Sequence, residues 1–255
     1  MTCENNGLTK RLLKCEEELE DCNNDLQTWI NSLEELSEIE DAFKTDGKFE
    51  LDGKTILDVG TDCVKPLYIA LKFKPNKIVG INEKLPSFSS NLEQESRLFT
   101  KPTKIRFYNS SLFDDVMLGK ILEEERMDGK FDFVLVSKTL HHLRKGKCDE
   151  EHECREDEKC CKYGFKTEIF EELLELGNRV IIYETFFPQE KDEDKVRGRG
   201  GYFTTKEWEK ILAVISDKYK VEFITPIRCH LDNKELENVI AKLRQVDYVC
   251  FYVEK

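Results

Sequence analysis

Three groups of residues carry side chains suited to chemistry. The first is Asp58-Val59-Gly60, a carboxylate and a glycine at the end of an apolar run that starts at Ile56. A glycine there lets the backbone turn tightly and leaves room for a ligand, while the carboxylate orients the turn or a polar ligand group. The second is the pair His141-His142, two of only four histidines in the chain. A neutral imidazole takes up a proton near physiological pH, which is general-base work; a purely structural role is the alternative. The third is a cysteine-rich stretch, with Cys148, Cys154, Cys160 and Cys161 around His152. Four thiols and an imidazole can supply a tetrahedral zinc site, but no paired Cys-x-x-Cys knuckle is present, so disulfide pairing and free thiols stay open beside metal.

These groups need elements to hold them. After the turn signals Asp46-Gly47 and Asp52-Gly53 come short apolar runs at 56–59, 77–81, 105–108, 133–136 and 179–183, which read as buried strands. Between them, 66–73, 87–99, 115–125 and 166–176 read as helices. Strands alternating with helices at this spacing predict a parallel sheet covered on both faces, with ligands at the carboxyl ends of the strands. A helix at 204–216, a strand at 220–224, a helix at 233–243 and a strand at 248–253 follow. The last two strands are expected as an antiparallel pair at the edge. Ahead of all this, residues 8–43 have the near-helical apolar spacing of an amphipathic helix, either a brace on the domain or a dimerisation helix.

Composition narrows the function classes. With 52 Asp and Glu against 40 Lys and Arg the net charge is −12, which disfavours a polyanion such as nucleic acid as the main partner. No apolar stretch is long enough for a membrane span, and the first residues do not read as a signal peptide, so a cytoplasmic protein is expected. Cys63, Cys229 and Cys250 stand apart from the other cysteines and are expected in or near the core. A glycine-rich basic segment at 188–202, with Arg197 and Arg199, suits either a lid over an anionic substrate group or a solvated loop.

From about Lys54 to Tyr183 the chain resembles the class I S-adenosylmethionine-dependent methyltransferases. The resemblance is carried by Ile56-Leu-Asp-Val-Gly60 and by Phe131-Asp-Phe-Val-Leu-Val-Ser-Lys-Thr-Leu-His-His-Leu143. It implies a Rossmann-like, mostly parallel seven-stranded sheet flanked by helices, its final strand antiparallel. The α/β domain then covers 46–255, with an N-terminal helical extension at 1–45 and a cysteine-rich insertion at 147–162.

The resemblance also implies a site. Asp58, Gly60, Thr61 and Asp62 would form the cofactor loop, although Thr61-Asp62-Cys63 replaces the family's further glycines. Asn82 or Glu83 would meet the ribose hydroxyls, which a carboxylate can accept from together. Ser111 and Leu112 would face the adenine, Ser111 standing where relatives often carry an acid. Ser137 and Lys138 would complete the cofactor contacts. His141, His142 or Glu184 would handle a proton. The expected cofactor is S-adenosylmethionine, with zinc at the insertion as a further expectation. The expected substrate is a small molecule or a protein side chain. A binding protein without transfer activity and an RNA methyltransferase are the alternatives, and a homodimer through the N-terminal helix is an expected partner arrangement.

Overall fold

The computed structural model describes residues 50–99, 103–127, 129–140, 143, 168–187, 203–225, 229–231 and 248–255. The helical extension, His141, His142, the cysteine-rich insertion, the basic segment at 188–202 and the helix expected at 233–243 lie outside the described residues.

Five strands form the parallel part of the sheet: β1 (Thr55–Val59), β2 (Lys77–Asn82), β3 (Lys104–Asn109), β4 (Phe131–Ser137) and β5 (Gly177–Phe187). The helices between them are α1 (Val64–Phe73), α2 (Ser89–Phe99), α3 (Asp115–Glu124) and α4 (Glu168–Leu176). Next come β6 (Phe203–Thr204), α5 (Thr205–Lys218), β7 (Lys220–Thr225), β8 (Cys229–Leu231) and β9 (Tyr248–Glu254). The order across the sheet is β3-β2-β1-β4-β5-β9-β7-β8, with β6 pairing β5 off this path. β9 runs antiparallel to both β5 and β7. This is a Rossmann-like α/β fold, a mostly parallel sheet flanked by helices, with β6 and β8 as short additions to seven longer strands.

The last two expected strands do form an antiparallel pair, β7 with β9, and β9 lies antiparallel against β5, while the short β8 adds the outer margin. One expectation changes: β5 continues to Phe187, so Tyr183 and Glu184 are interior to the strand and do not stand at its end.

Alternation along the strands sorts the core into two layers, as a period of two requires. Leu57 and Val59, Val79 and Ile81, Val134 and Val136, and Val180 and Ile182 pack with α3, α4 and α5. Ile56, Ile78, Ile105, Phe133, Leu135 and Ile181 lie on the other face, with Ile69 and Ala70 of α1. Because both faces are covered, the strands read as nearly unbroken apolar runs. Trp208 of α5 meets Phe251 of β9 edge to face, with ring centroids 5.7 Å apart, and anchors the C-terminal helix to the late strand.

β1 and β4 pair in parallel, Val59 opposite Val136. From β1 the chain builds outward to β2 and β3 on one side; from β4 it builds to β5 on the other. The order reverses between β1 and β4, and a crevice opens at the carboxyl ends of such a pair.

Candidate cofactor cleft

A cleft of 490 Å3 lies at that reversal. Its walls come from the ends of four strands and the turns after them: Gly60, Asn82 and Glu83, Ser110 to Phe113, and Ser137 to Thr139, with Lys65 and Leu143. The volume is in the range of pockets that enclose a nucleoside-sized ligand. Across the sheet the lining residues run Ser111, Glu83, Gly60, Ser137, following the strand order.

The loop after β1 is built from its own hydrogen bonds. The N–H groups of Gly60 and Thr61 both donate to the Ile81 carbonyl, at 2.8 and 3.1 Å. The Asn82 side-chain amide donates to the Thr61 carbonyl at 2.8 Å, tying β2 to the loop. Thr61 is fully buried, and its hydroxyl oxygen accepts from the Cys63 N–H at 3.1 Å. One Asp62 oxygen accepts from the N–H groups of Val64 and Lys65, at 2.9 and 3.0 Å, and so caps α1. The other oxygen meets the Lys65 ammonium at 2.5 Å. Cys63 takes a left-handed conformation at φ 68° to make this turn.

Gly60 has φ 74°, and a Cβ built on it would sit 2.1 Å from the Thr139 hydroxyl oxygen. The glycine is therefore required twice, by its backbone conformation and by the close approach of the β4 turn. Lys138, also left-handed at φ 48°, donates its N–H to the Tyr183 carbonyl at 2.7 Å, which fixes that turn to β5.

On the other side of the cleft, the Ser111 hydroxyl donates to a Glu83 oxygen at 2.8 Å. The serine holds the carboxylate in place and keeps acceptor capacity of its own. Ile81, Leu112, Phe113 and Leu143 give the same cleft an apolar lining.

Gly60, Asn82, Glu83, Ser111, Leu112, Ser137 and Lys138 all line one cleft. Asp58, Thr61 and Asp62 do not. Asp58 is buried at 1% exposure under the loop, and Thr61 and Asp62 hold the turn and the helix start. Glu184 is fully buried opposite Val249 of β9 and is not among the residues lining the cleft. Lys65 and Thr139 are lining residues that sequence reasoning missed. Lysine in Val64-Lys65-Pro66 reads as a solvated helix position; its spacing of three from Asp62 across a helix start was the available signal.

Cys63 and Cys250 are buried free thiols, as expected for core cysteines. Burial, then the nearby carboxylates of Asp62 and Asp58, push the Cys63 thiol far up; burial alone raises Cys250 to about 12. Both stay protonated and unreactive at neutral pH. Among the described residues no group of three or more His, Cys, Asp or Glu is placed to hold a metal ion, and the expected zinc ligands lie outside them. No helix among the described residues is long and apolar enough to cross a membrane.

No family model and no curated protein matches the chain. Similar solved structures include a cyclopropane-fatty-acyl-phospholipid synthase-like protein from Lactobacillus casei, at 12% identity and TM-score 0.47, covering 85% of this chain and 90% of that one. Another is magnesium protoporphyrin IX methyltransferase from Synechocystis with bound SAM, at 14% identity and TM-score 0.44, covering 92% and 83%. The methyltransferase domain of bacterial CtHen1 is similar at 16% identity and TM-score 0.47, covering 79% and 90%. At these identities and scores no activity or substrate is carried over.

Proposed function

We propose that this chain is an S-adenosylmethionine-dependent methyltransferase acting on a small molecule or a protein side chain. The observation that supports it most is the combination of groups in the cleft: a carboxylate acceptor braced by a serine, an apolar lining and a buried ammonium donor, all at the sheet's reversal point. Adenosine attached to an amino acid asks for the same set. Glu83 would accept from the ribose hydroxyls, Ile81, Leu112 and Phe113 would pack on the base, and Ser111 would accept from its amino group.

S-adenosylmethionine supplies an activated methyl group on a sulfonium that is already a good leaving group. The protein's part is then positioning and exclusion of water. Ser137 and Lys138, at the end of β4, are proposed to face the reacting end of the cleft. For a proton released by the acceptor we propose His141 or His142, which follow Leu140 directly in sequence. Glu184, buried away from the lining, is the weaker assignment.

A second reading, a binding protein that has lost transfer, draws support from the replaced glycines at Thr61-Asp62-Cys63. Calorimetric titration with S-adenosylhomocysteine tests what the two share, and single-turnover transfer from labelled S-adenosylmethionine to a panel of acceptors separates them. Binding that weakens about tenfold in Glu83→Gln supports the site. Absence of binding to the full-length protein sinks the methyltransferase reading.

A further inference from the structure

A helix N-terminus after the first strand normally offers backbone N–H groups to an anionic ligand group. Here five of the loop's N–H groups are used inside the protein. The N–H groups of Gly60 and Thr61 go to the Ile81 carbonyl, that of Cys63 to the Thr61 hydroxyl, and those of Val64 and Lys65 to Asp62. Five backbone donors of the loop are thereby committed, and a carboxylate arriving in the cleft would have to displace one of these bonds to gain another.

Lys65 is the charged donor that the loop presents in their place. It is 4% exposed, lines the cleft, and is held by Asp62 at 2.5 Å. An ammonium has three N–H donors and can serve two acceptors together. Burial keeps such a bond from being screened by water. The capping role of Asp62 fixes the Asp62–Lys65 pair to the first turn of α1, so the lysine is positioned before any ligand arrives.

We infer that Lys65, and not the backbone of the loop, receives the α-carboxylate of the ligand's amino-acid moiety. The inference rests on the proposed function and deepens it: the cleft selects an adenosine bearing a carboxylate, through a side-chain cation on the first turn of α1. Lys138 also lines the cleft, but it is only partly buried and belongs to the β4 turn on the other side of Gly60.

The test compares two ligands that differ in one group, S-adenosylhomocysteine and its decarboxylated analogue, by titration calorimetry on the full chain. Wild-type protein is expected to prefer the carboxylate-bearing ligand by about ten- to a hundredfold. Lys65→Met removes that preference while leaving affinity for the decarboxylated analogue within about twofold. Lys138→Met retains the preference, while Asp62→Asn, which keeps an oxygen on the first turn of α1 but loses the ion pair that positions the lysine, reduces it. If Lys65→Met does not fold, Lys65→Gln carries the test and must lose most of the preference. Equal binding of the two ligands by wild type, a preference that survives the neutral Lys65 variant that folds, or one that vanishes in Lys138→Met overturns the inference. Failure of wild type to bind either ligand overturns the proposed function itself.

Discussion

Among the described residues, buried Glu125 and partly buried Asp62 each pair closely with a lysine, and their surroundings differ. Glu125, just past α3, has a side chain 2% exposed and is ringed by protein groups: the Lys104 ammonium at 2.6 Å, the Tyr108 hydroxyl at 2.7 Å, Lys77 at 3.4 Å and Arg106 at 3.8 Å. These partners come from β2 and β3, so the cluster ties the end of a helix to the edge of the sheet. Asp62 and Lys65 make a similarly close pair, but one partner of that pair lines the cleft. The Glu125 cluster borders only a smaller recess of about 250 Å3, and its cations Lys104 and Arg106 reach solvent at 47% and 38% exposure, whereas the Lys65 ammonium is held almost fully buried in the wall of the larger cleft, where its charge is less screened.

The largest expected effect lies where fold and cleft meet. Gly60→Ala forces a Cβ into Thr139 at a left-handed backbone position and should cost about 3 kcal/mol or more in chemical denaturation, with loss of S-adenosylhomocysteine binding. A variant of wild-type stability would show that the glycine is not required by packing. Next comes Glu125→Ala, which removes the acid shared by Lys77, Lys104 and Arg106; because Lys104 and Arg106 reach solvent, it should cost about 1–2 kcal/mol, with ligand affinity unchanged. A marked fall in affinity would dissolve the distinction between the two clusters.

The same acid sets an expected pH dependence. Burial pushes the Glu125 carboxyl up, but the hydrogen bonds from Lys104 and Tyr108 and the charges of Lys104 and Lys77 outweigh it and hold it below its ordinary value. A carboxylate lowered on folding contributes stability that is fully present above its unfolded pKa of about 4.3 and is lost as pH falls through the folded one. Denaturation midpoints of Glu125→Gln should therefore fall less steeply with acid than those of wild type; parallel acid limbs would contradict this. At the cleft the effects on stability are smaller. Asp62→Ala should cost about 1 kcal/mol as a lost helix cap, while Asp62→Asn should cost a few tenths. Equal losses in the two would mean that the ion pair outweighs the cap.

The parallel strands were legible because burial on both faces turns each into a run such as Ile56-Leu57 or Phe133-Val-Leu-Val136, and their turns carry Gly, Asn or Ser. The place of β9 was not, because the order of strands in a sheet is set by long-range packing, here Trp208 and Phe223 against Phe251. β6 and β8 span two and three residues and are defined by backbone pairing alone, which leaves no pattern in sequence. Within the site, Glu83 and Ser111 were legible from their places after β2 and β3, and the structure adds that they bond to each other. Thr61 and Asp62 were read as facing a ligand because they follow the glycine; their hydrogen bonds turn them inward to the loop and to α1. Lys65 was hidden because an isolated lysine in a helix is usually solvated, and only the cap geometry shows why this one is not.

The most direct test of the account is a crystal structure of the protein with S-adenosylhomocysteine. The account predicts the ribose hydroxyls on Glu83, the base between Ile81, Leu112 and Phe113, and the amino-acid carboxylate on the Lys65 ammonium. Ligand bound elsewhere, or bound in this cleft without contact to Glu83, would contradict it.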